Sequence, residues 1–198
     1  MRSLLDCWLL VGSIVGSILA MGCSTAPPTL REPDTYEGCA TDENWRTFDE
    51  QQNAGLVKVD DAQAVSFLPP VRDGASVPFA NKPTFKWQPS PTLTGKMNGD
   101  ATCTANCTLC GGMTPCTLCG EHDPPVSGDD YDLQFSIGGM VVFRVLTTLQ
   151  FFTPSDAVWG SFRGKTVSLV TTRMHLKVNE VDEGPYRATK ALTFSAGN

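Results

Sequence analysis

Histidine is close to absent from this chain: 198 residues hold only His122 and His175. That scarcity leaves little material for a general base or a histidine-rich metal centre. No serine, histidine and acid stand in the setting of a hydrolase motif, and no glycine-rich phosphate loop follows a strand. Positive charge is short as well. Fifteen Lys and Arg face 21 Asp and Glu, for a formal net charge of −6. Such a balance repels phosphate backbones and supplies no polybasic grip on anionic lipid, which argues against nucleic acid as a partner. Charged residues of either sign reach only 18% against 41% hydrophobic. That proportion suits a folded domain rather than a disordered one. A bilayer-spanning run is also missing. The most apolar stretch, residues 8–21, falls short of the roughly 20 residues that a transmembrane helix needs.

What the N-terminus does contain is an export pattern. Arg2 gives a minimal positive start, residues 8–21 form an apolar segment, and Leu19-Ala20-Met21-Gly22-Cys23 follows. The last five residues resemble a bacterial lipobox, with small residues before a cysteine. The resemblance implies that residues 1–22 are a lipoprotein signal peptide and that Cys23 carries diacylglycerol and an acyl chain such as palmitate. Met21 departs from the usual occupant of its slot. The alternative is an ordinary signal peptide that leaves Cys23 a free thiol. Residues 23–40 hold Cys23 and then a proline-rich tether beginning Ser24-Thr25-Ala26-Pro27-Pro28. Ser24 stands where an aspartate would favour the inner membrane, so the expected location is exported and lipid-anchored, toward the outer membrane.

Residues 41–61 are expected to hold a short helix and a linker. Thr41 suits an N-cap, acids fill the first turn, and Trp45 and Phe48 share a face. From 62 onward the period changes to two. Tyr131, Leu133, Phe135 and Ile137 alternate with polar residues, and Gly138-Gly139 offers a hairpin turn. A strand over 166–178 would turn Val170, Met174, Leu176 and Val178 inward and His175 to solvent. A turn at Glu183-Gly184-Pro185 would introduce a last strand over 186–194. At least six strands without helical connections predict an all-β, antiparallel sandwich over 62–198. Leu68-Pro69-Pro70, Asp73-Gly74-Ala75 and Pro83-Thr84-Phe85-Lys86-Trp87 resemble the opening strands of fibronectin type III and immunoglobulin-like modules. There Trp87 would be a core residue.

The departure from such modules is a cysteine-rich insertion over 95–129. It carries Cys103, Cys107, Cys110, Cys116 and Cys119, with Cys-Thr-Leu-Cys-Gly occurring twice. These units resemble zinc knuckles, which implies a zinc site on Cys107, Cys110, Cys116 and Cys119, or on three of these with His122. Against zinc, the knuckles lie five residues apart, where ribbons leave about 15–20. An exported chain also meets oxidising conditions. With Cys7 and the lipid-bearing Cys23 set aside, Cys39 brings the remaining cysteines to six, an even set for disulfides. The spacing from Cys103 to Cys110 is also similar to the iron–sulfur motif of radical-SAM enzymes, but no βα alternation accompanies it. A thioredoxin-like redox pair would need a helix start, which the Gly, Pro and Thr flanks do not provide. Calcium held by Asn98-Gly99-Asp100 or Gly128-Asp129-Asp130 is a further option.

The expectation is therefore a lipid-anchored envelope protein that binds or scaffolds a protein or polysaccharide, without catalytic chemistry or a cofactor. A zinc or redox protein is the first alternative. An enzyme acting on envelope polymer is the second.

Overall fold

Residues 31–88, the short strand at 102–103 and residues 125–198 are described by the computed structural model. In chain order the first half gives β1 (Thr35–Glu37), α1 (Asp42–Asn53), β2 (Lys58–Val59), β3 (Ser66–Leu68), β4 (Ala75–Val77), β5 (Phe85–Gln88) and β6 (Thr102–Cys103). The second half gives β7 (Val126–Ile137), β8 (Met140–Thr147), β9 (Phe151–Phe152), α2 (Asp156–Phe162), β10 (Thr166–Lys177), β11 (Glu180–Arg187) and β12 (Leu192–Ala196). The domain is mainly β, as expected.

The larger sheet runs β1-β8-β7-β10-β11-β2. Its centre is antiparallel, but β1 joins β8, β2 joins β11 and β4 joins β12 in parallel. The sheet is mixed, which corrects the purely antiparallel expectation. The parallel partners are short edge strands delivered from far away in sequence, and no hairpin links them to their neighbours. At Gly138-Gly139 the φ angles are +58° and +83°, and the missing Cβ lets the expected hairpin close there.

A second sheet, β3-β5-β9, lies over one face of the first. Phe85 meets Phe135 and Phe194, and Trp87 meets Tyr131 edge-on at 5.4 Å. Trp87 is a core residue, as expected. α2 closes the same core with Trp159 and Phe162. The sequence reading missed this helix, although Ser155 caps it and Trp159 and Phe162 stand three apart.

The opposite face is covered too. α1 begins at the expected cap, where Thr41 and Asn44 exchange hydrogen bonds in a capping box. Its Trp45 and Phe48 pack on Val126, Leu146, Met174 and Leu176. Consequently β10 is buried on both faces: Val167 and Leu169 look to one core, Met174 and Leu176 to the other. The expected inward set was half of the story. Val178, placed inward from sequence, is exposed, with φ +55° in the turn to β11.

That turn corrects another boundary. Val178 and Asn179 make the reversal, while Gly184-Pro185 lies inside β11 as an irregularity in its pairing with β10. The expected strand over 186–194 is split, because β11 ends at Arg187 and β12 begins at Leu192. Two further boundaries move. Of the expected tether, the described residues 31–40 lie against the sheet. β7 begins at the fully buried Val126, inside the range taken as insertion.

Candidate functional site

The expected chemistry of the cysteines falls largely outside the described residues. Cys23, Cys107, Cys110, Cys116, Cys119 and His122 all lie there, as does Asn98-Gly99-Asp100. Cys103 is placed by its backbone alone, in β6 opposite Val126. Cys39 is disulfide-bonded. It packs beside α1 at the second core, and its N–H donates to Thr148 Oγ1 at 2.9 Å. Among the described residues no group of His, Cys, Asp and Glu is arranged to hold a metal. No helix among them is long and apolar enough to cross a membrane.

Asp129 and Asp130 do not converge on a cation, because successive residues of β7 point to opposite faces. Asp129 Oδ1 accepts from Arg173 Nη2 and from the Nδ1–H of His175, each at 2.8 Å, and Oδ2 accepts from the Tyr131 hydroxyl at 3.2 Å. His175 is therefore half-buried and partnered, not the solvent-facing residue expected. Burial raises the Tyr131 phenol well above its ordinary range, and Asp129 adds to the shift. Asp130 looks the other way, fully buried. Desolvation, with smaller contributions from Asp132 and Asp129, lifts its carboxyl to about 8, so it is protonated at neutral pH.

The inner face beside Asp129 holds unmatched polar atoms. Arg173 Nε and Nη1, Trp87 Nε1 and Thr171 Oγ1 are buried without a hydrogen-bond partner. Buried polar groups are rarely left so, and four on adjoining residues of one core mark the region.

An opening lies next to it, created by the split of the last strand. One edge of β10 pairs with β12 from Thr166 to Leu169 and with β11 from Thr172 onward. Val170 and Thr171 pair only with β7. The chain from Arg187 to Leu192 swings away from the sheet and leaves a cavity of about 360 Å³ between the two sheets. Val65, Phe67, Leu169 and Leu192 give it an apolar lining, and Thr171 contributes its unpartnered hydroxyl. Arg72, Arg187 and Lys190 stand at its exposed side.

Two carboxylates hold this wall in place. Asp61 accepts from the Thr189 amide and hydroxyl at 2.7 and 2.9 Å. Asp73 Oδ1 accepts from the Thr193 amide and hydroxyl at 2.9 and 2.5 Å. These bonds hold both carboxyls below their ordinary range, and the Lys190 charge adds to the effect. None of these residues was singled out from sequence as a site. The one available signal was Arg187-Ala188-Thr189-Lys190, two cations within a nominal strand.

No family model, curated protein or solved structure matches the chain.

Proposed function

We propose that this chain is an exported lipoprotein, anchored to the bacterial envelope through Cys23, whose β-rich domain works by binding a ligand. The observation that carries the anchoring is Leu19-Ala20-Met21-Gly22-Cys23 directly after an apolar segment too short to span a bilayer. A ligand-binding role is supported by the cavity between the sheets, whose volume lies at the lower end of the range for small-molecule sites, about 300–1,000 Å³. The outer membrane is the proposed address, on the strength of Ser24. The finer fold proposal is a fibronectin III or immunoglobulin-like sandwich, supported by Trp87 packed in the core between two sheets.

For the cysteines we propose disulfides among Cys39, Cys103, Cys107, Cys110, Cys116 and Cys119. The disulfide at Cys39 supports this reading over zinc. A chain crossing into an oxidising compartment keeps few thiolates for a metal.

Metabolic labelling with a palmitate analogue tests the anchor. Wild type is expected to take up label and fractionate with membranes, while Cys23→Ser stays an unlabelled precursor. Label retained by Cys23→Ser sinks the assignment.

A further inference from the structure

We infer that the cavity at the split between β11 and β12 binds a small organic carboxylate with an apolar body. This deepens the binding role proposed above and rests on it. Three observations converge on that ligand class.

The first is the sign of the charge. In a chain of net charge −6, Arg72, Arg187 and Lys190 gather at one opening, and none has a salt-bridge partner among the described residues. The single carboxylate lining the cavity, Asp73, accepts from Thr193 and keeps its negative charge. Asp61 and Asp73 answer Lys190 in part, but three cations against two carboxylates leave an excess of positive charge at the opening. An anion answers it.

The second is the lining. Val65, Phe67, Leu169 and Leu192 offer hydrocarbon and ring surface below the cations. An inorganic anion would leave that surface wet, whereas an aliphatic or aromatic body would cover it.

The third is Thr171, which is 5% exposed, lines the cavity and has no partner for Oγ1. A hydroxyl so placed can donate to a carboxylate oxygen that has passed the rim. The wall is also set in advance. Asp61 and Asp73 fix Thr189 and Thr193 on either side of Lys190, which lowers the ordering cost of binding.

The probe is 2-naphthoate, with 2-naphthamide as its uncharged match. The full lipidated chain in phospholipid nanodiscs is titrated by calorimetry, with empty discs subtracted. Saturable one-to-one binding of naphthoate is expected, with naphthamide roughly tenfold weaker and naphthoate affinity falling as salt rises. Lys190→Gln and Arg187→Gln should each weaken naphthoate about threefold to tenfold and leave naphthamide unchanged. Thr171→Val keeps the shape and should weaken naphthoate severalfold without lowering the melting temperature. The inference is overturned if a cooperatively melting chain gives no saturable naphthoate heat. It is equally overturned if the two probes bind alike and Lys190→Gln changes neither. Such a failure is separable from failure of the anchoring proposal, which palmitate labelling at Cys23 decides alone.

Discussion

Arg144 reaches across the second core and donates from Nε and Nη2 to the two oxygens of Asp132, each at 2.7 Å. The side chains are 2% and 0% exposed. Arg144 also lies over the Trp45 ring at 4.2 Å, and its Nη1 donates to the Arg31 carbonyl. Gln134 donates to Asp132 as well, at 2.7 Å. This one pair therefore joins β7, β8, α1 and the chain entering from the N-terminus.

Removing one partner should be far worse than removing both. Arg144→Met leaves the Asp132 carboxylate buried without its counter-charge and is expected to destabilise by roughly 3–5 kcal/mol. Arg144→Met combined with Asp132→Leu should recover much of that loss. Urea unfolding of the three variants measures it, and a double variant no more stable than Arg144→Met would contradict the scheme.

Asp130 gives the domain a stability that declines toward neutral pH. Its carboxyl, raised to about 8 in the fold, ordinarily titrates near 4. Between those values the native state holds a proton that the unfolded chain has released. This contribution is therefore greatest below about pH 4, falls as pH rises and levels off above about pH 8. Asp130→Asn should remove the slope and stabilise at pH 8 by on the order of 1–3 kcal/mol. Thermal melts from pH 5 to pH 8 would show the two curves converging on the acid side; parallel curves would reject the assignment.

Asp61 and Asp73 carry the opposite sign. Their lowered carboxyls make a contribution that is present above the ordinary carboxylate value and is lost as pH falls through the folded value. Amide exchange at Thr189 and Thr193 should accelerate in acid, relative to amides in the middle of β7, and Asp61→Asn should blunt that acid sensitivity at Thr189. Unchanged relative protection down to pH 3 would mean that the carboxylates do not hold the wall.

For the cysteines, natively purified protein should show no alkylatable thiol among Cys39, Cys103, Cys107, Cys110, Cys116 and Cys119 until it is reduced, and no stoichiometric zinc. Cys39→Ser is expected to cost about 2–4 kcal/mol and to leave the proposed palmitate labelling at Cys23 unchanged. Thiols that appear only after chelation, with one zinc released per chain, would favour the metal site instead.

Much of the architecture was legible in the order of residues. Thr41 and the Trp45–Phe48 spacing specified α1, because capping and helical periodicity are local properties. Tyr131, Leu133 and Phe135 alternate cleanly, and Gly138-Gly139 supplies a conformation that other residues resist, so the β7–β8 hairpin followed. Trp87 was expected in the core from the resemblance of its strand to those of fibronectin III and immunoglobulin-like modules, and it lies there. What the order of residues could not convey was how many layers would cover the sheet. Once α1 lies on one face and β3-β5-β9 on the other, polar residues at alternate positions cannot all reach water. Asp132 instead becomes a buried ion pair, Asp130 a neutral acid, and His175 a partner of Asp129. The cavity is likewise a tertiary product. Residues 186–194 are individually fit for one strand, but the edge of β10 passes from β12 to β11, and pairing with two different strands forces the chain between them off the sheet. Local preference decides which segments extend; competition for the same edge decides where a gap is left.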